Sequence, residues 1–303
     1  MLGLSMKRLI AWDTSSKVGA LVALEWDETA GKSVSGTPYR LVSEWTLNVN
    51  AAQHSERLLW AIHQTLESCG WKLADIDFFG VGVGPGSFTG LRIGITTART
   101  LAQTLGKPLV GVSSLAALAR PVALHFADRA ERVVVIASSD AAKGELFALL
   151  GAARSIVDCA VLADGDFPGL WKRGVEEDVL EPDAIMKRTK KKLAEGSARE
   201  KSKWIRIGEG KLRYPDAWKS LPKSKEIESP LPFADHVQGR YLGALCFEAI
   251  QAGLARPALD VHPRYLRVAD AEKKLREGSL KQAPMESPYR PKAKGPSSSG
   301  ERK

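Results

Sequence analysis

Apolar positions early in the chain alternate between two rhythms. Residues 9–12 form a short apolar run that ends at Asp13, the small polar turn Thr14, Ser15, Ser16, Lys17 follows, and residues 20–26 form a second run. This reads as strand, turn, strand, and residues 41–49 read as a third strand. Over 53–69 apolar side chains return at Leu58, Leu59, Ile62, Leu66 and Cys69, the spacing of one helix face, with Gly70 as its stop. Residues 78–83 make a short buried strand that runs into glycines, and 89–105 are again helical, closed by Gly106 and Pro108.

A related order returns further on. Residues 132–137 are apolar, Asp140 follows, then Lys143 and Gly144, then the run 145–150. Two units of this kind suggest a duplicated sheet whose first strand delivers an aspartate to the turn; a chance recurrence of a common pattern is the alternative. Residues 187–226 interrupt the second unit and read as an elaborated surface loop, with one strand at 204–207. Residues 233–254 give a last helix. From about 269 to 303 the Lys, Arg, Pro, Ser and Gly content predicts a tail that stays unfolded. The expected organisation is a first lobe over 1–109, completed by the helix at 233–254, and a second lobe over 110–232.

At 303 residues and 44% hydrophobic, the chain can bury two cores. No apolar run reaches the length of a membrane helix and no secretory signal opens the sequence, so a cytoplasmic location is expected. Cys69, Cys159 and Cys246 are too scattered for a disulfide framework or a zinc knuckle and read as buried, reduced fillers. The net charge of +9 is local. Residues 186–226 hold 14 Lys or Arg against five Asp or Glu, an excess equal to that of the whole chain. Lysines 190, 191 and 192 with Trp204, Tyr214 and Trp218 offer a nucleic-acid contact, against the plainer reading of a solvated loop.

The segment 82–94, GVGPGSFTGLRIG, places glycines between a buried strand and a helix. Such a loop exposes backbone N–H groups to a phosphate, yet it has neither of the common nucleotide fingerprints and no lysine; a tight turn that binds nothing is the competing reading. Candidate phosphate or nucleotide contacts are Asp13, Gly84, Gly86, Ser87, Thr89 and Asp140, the two aspartates being equally readable as turn residues bonding their own backbone. Gly90, Gly94, Ala98 and Ala102 recur every four residues and let another backbone come close, either the chain's own sheet or a partner helix. No histidine pair has metal-site spacing, and neither H-E-x-x-H nor G-x-S-x-G occurs, so a zinc peptidase or serine hydrolase lacks support.

AWDTS at 11–15, HSERL at 54–58, GPGSFTGLRIG at 84–94, GVSSL at 111–115 and PRYLR at 263–267, in this order, resemble the TsaB (YeaZ-type) family over about residues 7–267. The resemblance implies an α/β fold of two ribonuclease-H-like lobes of the actin/Hsp70 superfamily. It also implies a TsaD paralogue as partner, which transfers threonylcarbamoyl to adenosine 37 of tRNAs reading codons that begin with A, and a TsaE ATPase. The chain itself is then a scaffold without catalysis that touches tRNA through the complex, and the surface that meets TsaD is expected at Leu58, Leu59 and Ile62 together with Gly90, Gly94, Ala98 and Ala102; a homodimer of the chain alone is an open alternative. The chain requires no cofactor, with ATP or ADP and Mg placed at or near the complex interface. The competing function is an independent ATPase or sugar-kinase-like enzyme. One departure stands out: the family's D-A-R-x-G-E is Asp140-Ala141-Ala142-Lys143-Gly144-Glu145 here, with alanine for the arginine.

Overall fold

The hairpin predicted at the start of the chain is present: β1 (Met6–Asp13) pairs antiparallel with β2 (Val18–Asp27), Asp13 opposite Ala20. In the computed structural model, which describes residues 6–28, 37–48, 54–158, 174–195, 202–231 and 234–267, β3 (Arg40–Asn48) adds antiparallel to β2. Strands β4 (Phe78–Gly82) and β5 (Leu109–Val112) continue parallel to β1, so the sheet order is β3-β2-β1-β4-β5. The parallel steps need crossovers, which α1 (His54–Cys69) and α2 (Phe88–Thr104) supply.

After α3 (Ser114–Phe126), the same plan is drawn again. Strands β6 (Val133–Asp140) and β7 (Leu146–Ala152) form a hairpin, the short α4 (Ala153–Asp158) follows, β8 (Glu176–Leu180) pairs antiparallel with β7, and β9 (Lys203–Ile207) runs parallel to β6. The order β8-β7-β6-β9 repeats β3-β2-β1-β4 in sequence and polarity, and among the described residues a single parallel bridge, Trp204 to Glu226, stands where the first sheet has β5. The expected two-sheet α/β fold is therefore present, and its duplication is visible in the topology.

Strand alternation divides the core into three. Ile10 and Trp12 face α1 and α2, whereas Leu9 and Ala11 face a central layer. That layer is α3 together with α7 (Gly239–Gln251), which packs on β1, β2 and β5. From the other side, Val133, Val135 and Ala137 of β6 close on it, so one apolar cluster spans both sheets. The outer face of the second sheet is covered by α5 (Pro182–Ala194), and a single turn, α6 (Gly210–Arg213), follows β9.

Helix α5 corrects the expectation of a surface loop from residue 187. Ile185, Met186, Thr189 and Leu193 recur on one helical face and are buried. Lys192 joins them: its stem is buried and its ammonium reaches Glu176 at 3.0 Å and the Gly174 carbonyl at 2.8 Å. Lys192 is thus not available to a nucleic acid. The aromatic residues of this region are also internal, Trp204 and Trp218 buried and Tyr214 packed on the same cluster. Cys246 is buried, Cys69 is half-buried, and Cys159 lies outside the described residues. The predicted tail, 269–303, also lies outside them. Among the described residues no helix is long and apolar enough to cross a membrane.

Candidate functional site

At the end of β1 the Asp13 side chain is fully buried. Its Oδ1 accepts from the Ser15 N–H at 3.0 Å and the Ser15 hydroxyl at 2.6 Å, and its Oδ2 accepts from the Ser114 hydroxyl. Behind it Gly82 leaves no space, since a Cβ there would stand 1.8 Å from Oδ2. Burial raises the Asp13 pKa above its ordinary 3.8, against the opposing pull of these three donors. Asp140 occupies the matching position in the second hairpin and makes the matching turn, accepting the Ala142 N–H at 2.9 Å, with Arg213 at 3.5 Å.

Ser114, which receives Oδ2 of Asp13, is the first residue of α3. Ser114 also ties the glycine loop, exchanging bonds with the Gly84 N–H (3.1 Å) and the Gly84 carbonyl (2.9 Å). One residue earlier, Ser113 caps α3 by accepting the Ala116 N–H and donates to Glu177 at 2.8 Å. Glu177 is buried on β8 and pairs with Arg264, whose backbone N–H reaches the Val83 carbonyl at 2.8 Å. Burial raises the Glu177 pKa above 4.5, while Arg264 and Ser113 work in the opposite direction. The N-terminus of α3, the end of a helix that attracts anions, thus receives one carboxylate from each sheet.

The glycine-rich segment serves close packing against the β1–β2 turn. A Cβ on Gly86 would meet the Ser15 carbonyl oxygen at 2.4 Å, and one on Gly90 would meet the Thr14 carbonyl oxygen at 2.0 Å. Thr14 donates to the Gly90 carbonyl at 2.7 Å and the Trp12 indole to the Gly94 carbonyl at 3.0 Å. Ser87 caps α2 through the Gly90 N–H. Gly84 has φ +99°, which its lack of a side chain permits. Thr89 is exposed on the first turn of α2.

Between the two sheets, Ser15, Ser16, Pro85, Ser114, Ser138, Ser139 and Asp235 line a cavity of about 20 Å³. Pockets for small ligands begin near roughly 300 Å³, and about 20 Å³ suits one water. Asp13, Gly84, Gly86, Ser87 and Asp140 are engaged with the chain's own backbone and side chains. In this arrangement they close the chain's own turns and leave room for about one water. Among the described residues no group of three or more His, Cys, Asp or Glu is placed to hold a metal.

The small-residue stripe is corrected as well. Gly90, Gly94, Ala98 and Ala102 are all buried, facing Thr14 and the first sheet rather than a partner. Leu58 and Ile62 are buried beneath α1, but Leu59 is 53% exposed. Beside it is Trp60, 55% exposed, its ring edge-on to Trp45 at 5.7 Å. Sequence periodicity passes over Trp60 because it falls on the polar face of α1. It also misses a second exposed group, where Phe88 lies 5.2 Å from Tyr265 with the Arg92 guanidinium 4.0 Å over the Phe88 ring.

The raised Asp13 pKa gives a pH-dependent test of its enclosure. Below about pH 4 the group is protonated in folded and unfolded chains alike; as pH rises the unfolded chain ionises first and stability falls until the folded value is passed. Asp13→Asn removes this loss. Its stability relative to the parent is expected to rise with pH above about 4, the ordinary value, until the raised folded value is passed, read by urea unfolding at several pH values. A pH-independent difference would show that Asp13 is not held in a desolvating environment.

The family model for TsaD, described as tRNA N6-adenosine threonylcarbamoyltransferase, matches residues 48–160. The tRNA threonylcarbamoyladenosine biosynthesis protein TsaB of Escherichia coli (strain K12) is 31% identical over 224 residues, covering 74% of this chain and 84% of that protein. The chain belongs to the TsaB family. The Haemophilus influenzae TsaB is 28% identical over 226 residues, 73% of this chain and 83% of its own length. The solved structure of YeaZ from Pseudomonas aeruginosa shares the fold, with a TM-score of 0.57 at 22% identity over 86% of this chain and 100% of that one. TsaB membership places the chain in tRNA threonylcarbamoyladenosine biosynthesis. Two of the motifs that carry the resemblance, GVSSL and PRYLR, supply Ser113, Ser114 and Arg264, the residues that join the sheets at α3.

Proposed function

We propose that this chain is a non-catalytic scaffold and activator for threonylcarbamoyl transfer to adenosine 37 of tRNAs reading codons that begin with A, the chemistry being carried by a TsaD partner with TsaE as ATPase. The observation that supports this reading is the filled seam: carboxylates Asp13 and Glu177 take the α3 N-terminus from within, leaving about 20 Å³. An independent ATPase or sugar kinase would need that place for phosphates. Any ATP or ADP with Mg then belongs at the junction with the partner.

The surface proposed to meet TsaD moves from the small-residue stripe to the side chains that remain outside. Leu59 and Trp60 stand out from α1, and Phe88 stands out from the first turn of α2, which packs beside α1. Exposed Trp and Phe with adjoining Leu supply apolar anchor area on a rigid helical platform. Replacing Leu59 and Trp60 together by Asp is expected to abolish copurification with TsaD, a loss on the order of a thousandfold if each anchors about 2 kcal/mol. The melting temperature of the isolated chain should hardly change. Native TsaD affinity in this double variant would place the partner surface elsewhere. Steady ATP turnover by the purified chain alone, lost in Asp13→Asn, would overturn the scaffold reading itself.

A further inference from the structure

We infer that the outward face of α5 docks the phosphate backbone of RNA, the substrate tRNA if the proposed function holds. The helix carries five cations, Lys187, Arg188, Lys190, Lys191 and Lys192, against one carboxylate, Asp183. Two of the five are taken up at the edge of the second sheet. Arg188 meets Glu176 at 3.3 Å and Asp178 at 3.1 Å, and Lys192 meets Glu176 at 3.0 Å.

The other three behave differently. Lys187, Lys190 and Lys191 are exposed and stand at i, i+3 and i+4, so they share one face of the helix. None of them meets a carboxylate among the described residues. Lys191 lies in the last turn, where a cation suits the helix dipole. Lys187 has Asp183 one turn before it, Lys190 has no such explanation, and like charges at this spacing repel by about 0.2–0.5 kcal/mol per pair. A polyanion laid along the face would relieve that repulsion and release its own counterions.

Charge complementarity favours RNA over the other polyanionic surface, a lipid headgroup layer. A helix that lies on a membrane must insert its apolar face. The apolar face of α5 is already packed on Val134, Ile136, Leu146 and Trp204 of its own sheet. The buried positions of Trp204 and Trp218 also decide the manner of binding. Neither of these two rings can stack on a base, so recognition by this helix face runs through charge and is indifferent to base sequence.

The test compares the full chain with a Lys187→Gln, Lys190→Gln, Lys191→Gln variant, binding an unmodified tRNA transcript over a salt titration, alone and assembled with TsaD. The slope of log K against log salt is expected to fall by about 2–3, at 0.7–0.9 per phosphate contact, with a similar fall for a transcript of shuffled sequence. Arginine at the same three positions should keep the slope, and circular dichroism should show the helix intact in both variants. An unchanged slope overturns the inference. So does an equal fall in a control carrying Gln at Lys17, Lys72 and Lys225, since the effect would then belong to overall charge. Loss of anionic-vesicle binding in the variant with tRNA binding unaltered overturns it in favour of a membrane. Measurement on the isolated chain keeps this outcome separate from the scaffold reading, which stands or falls on TsaD copurification.

Discussion

Ala98→Trp is expected to leave the isolated chain without a cooperative unfolding transition. Ala98 is fully buried in the layer that holds Leu58, Ile62, Leu91 and Ile95 against the first sheet. One turn earlier the fit is already at its limit, because a Cβ on Gly94 would stand 2.2 Å from the Thr14 hydroxyl. Adding single methylenes to such a core costs about 1–3 kcal/mol. An indole forces α2 away from β1 altogether, and a domain has only about 5–15 kcal/mol in total. Thermal and urea scans followed by circular dichroism would show the transition lost or its midpoint displaced far downward. A stable Ala98→Trp chain that had lost only TsaD binding would turn the stripe outward again and contradict the packing described above.

A second large effect is expected from Arg264→Met. Removing one partner of a buried ion pair costs about 3–5 kcal/mol because the other charge is left desolvated. Glu177 shows the sign of the pH dependence. Its pKa is above 4.5 through burial even with Arg264 beside it, and Arg264 acts to lower it. Without the guanidinium the folded value climbs further, so the pH range over which ionisation opposes folding widens upward. The variant should therefore be destabilised most near neutral pH, and progressively less as acid keeps Glu177 protonated. Urea unfolding of parent and variant at about pH 5 and about pH 7.5 measures this, and Glu177→Gln added to Arg264→Met should recover part of the neutral-pH loss. An equal loss at both pH values would mean that Arg264 acts by packing and not through Glu177.

The hairpin at β1 and β2, the helices α1 and α2 and the repeated strand-turn-aspartate of the second sheet were legible in the sequence because each is a local rhythm of period two or three to four. Orientation was not. The spacing of Gly90, Gly94, Ala98 and Ala102 is the same whether the approaching backbone belongs to the chain or to a partner, and the deciding contact, Thr14 to Gly90, spans 76 positions. Glu177 sits among acidic neighbours that look solvent-facing, and its buried role depends on Arg264, 87 positions away. In α5 the lysines masked the helix, since four of its buried positions are Ile185, Met186, Thr189 and Leu193 but a fifth is Lys192, whose apolar stem carries the face onward. The matching placement of Asp13 and Asp140 was readable; that both close their own turns is a matter of distances no pattern contains.

Joining both sheets through the first turn of α3 ties the fate of the whole chain to a few side chains. Lesions at Asp13, Gly90, Ser114 or Arg264 act on the folded fraction, and a shift of 1–2 kcal/mol in a marginally stable protein changes its cellular abundance several-fold, roughly, through proteolytic turnover. In a living cell such lesions would present as too few molecules to assemble, each survivor being fully competent, and the shortage would be relieved by raising expression.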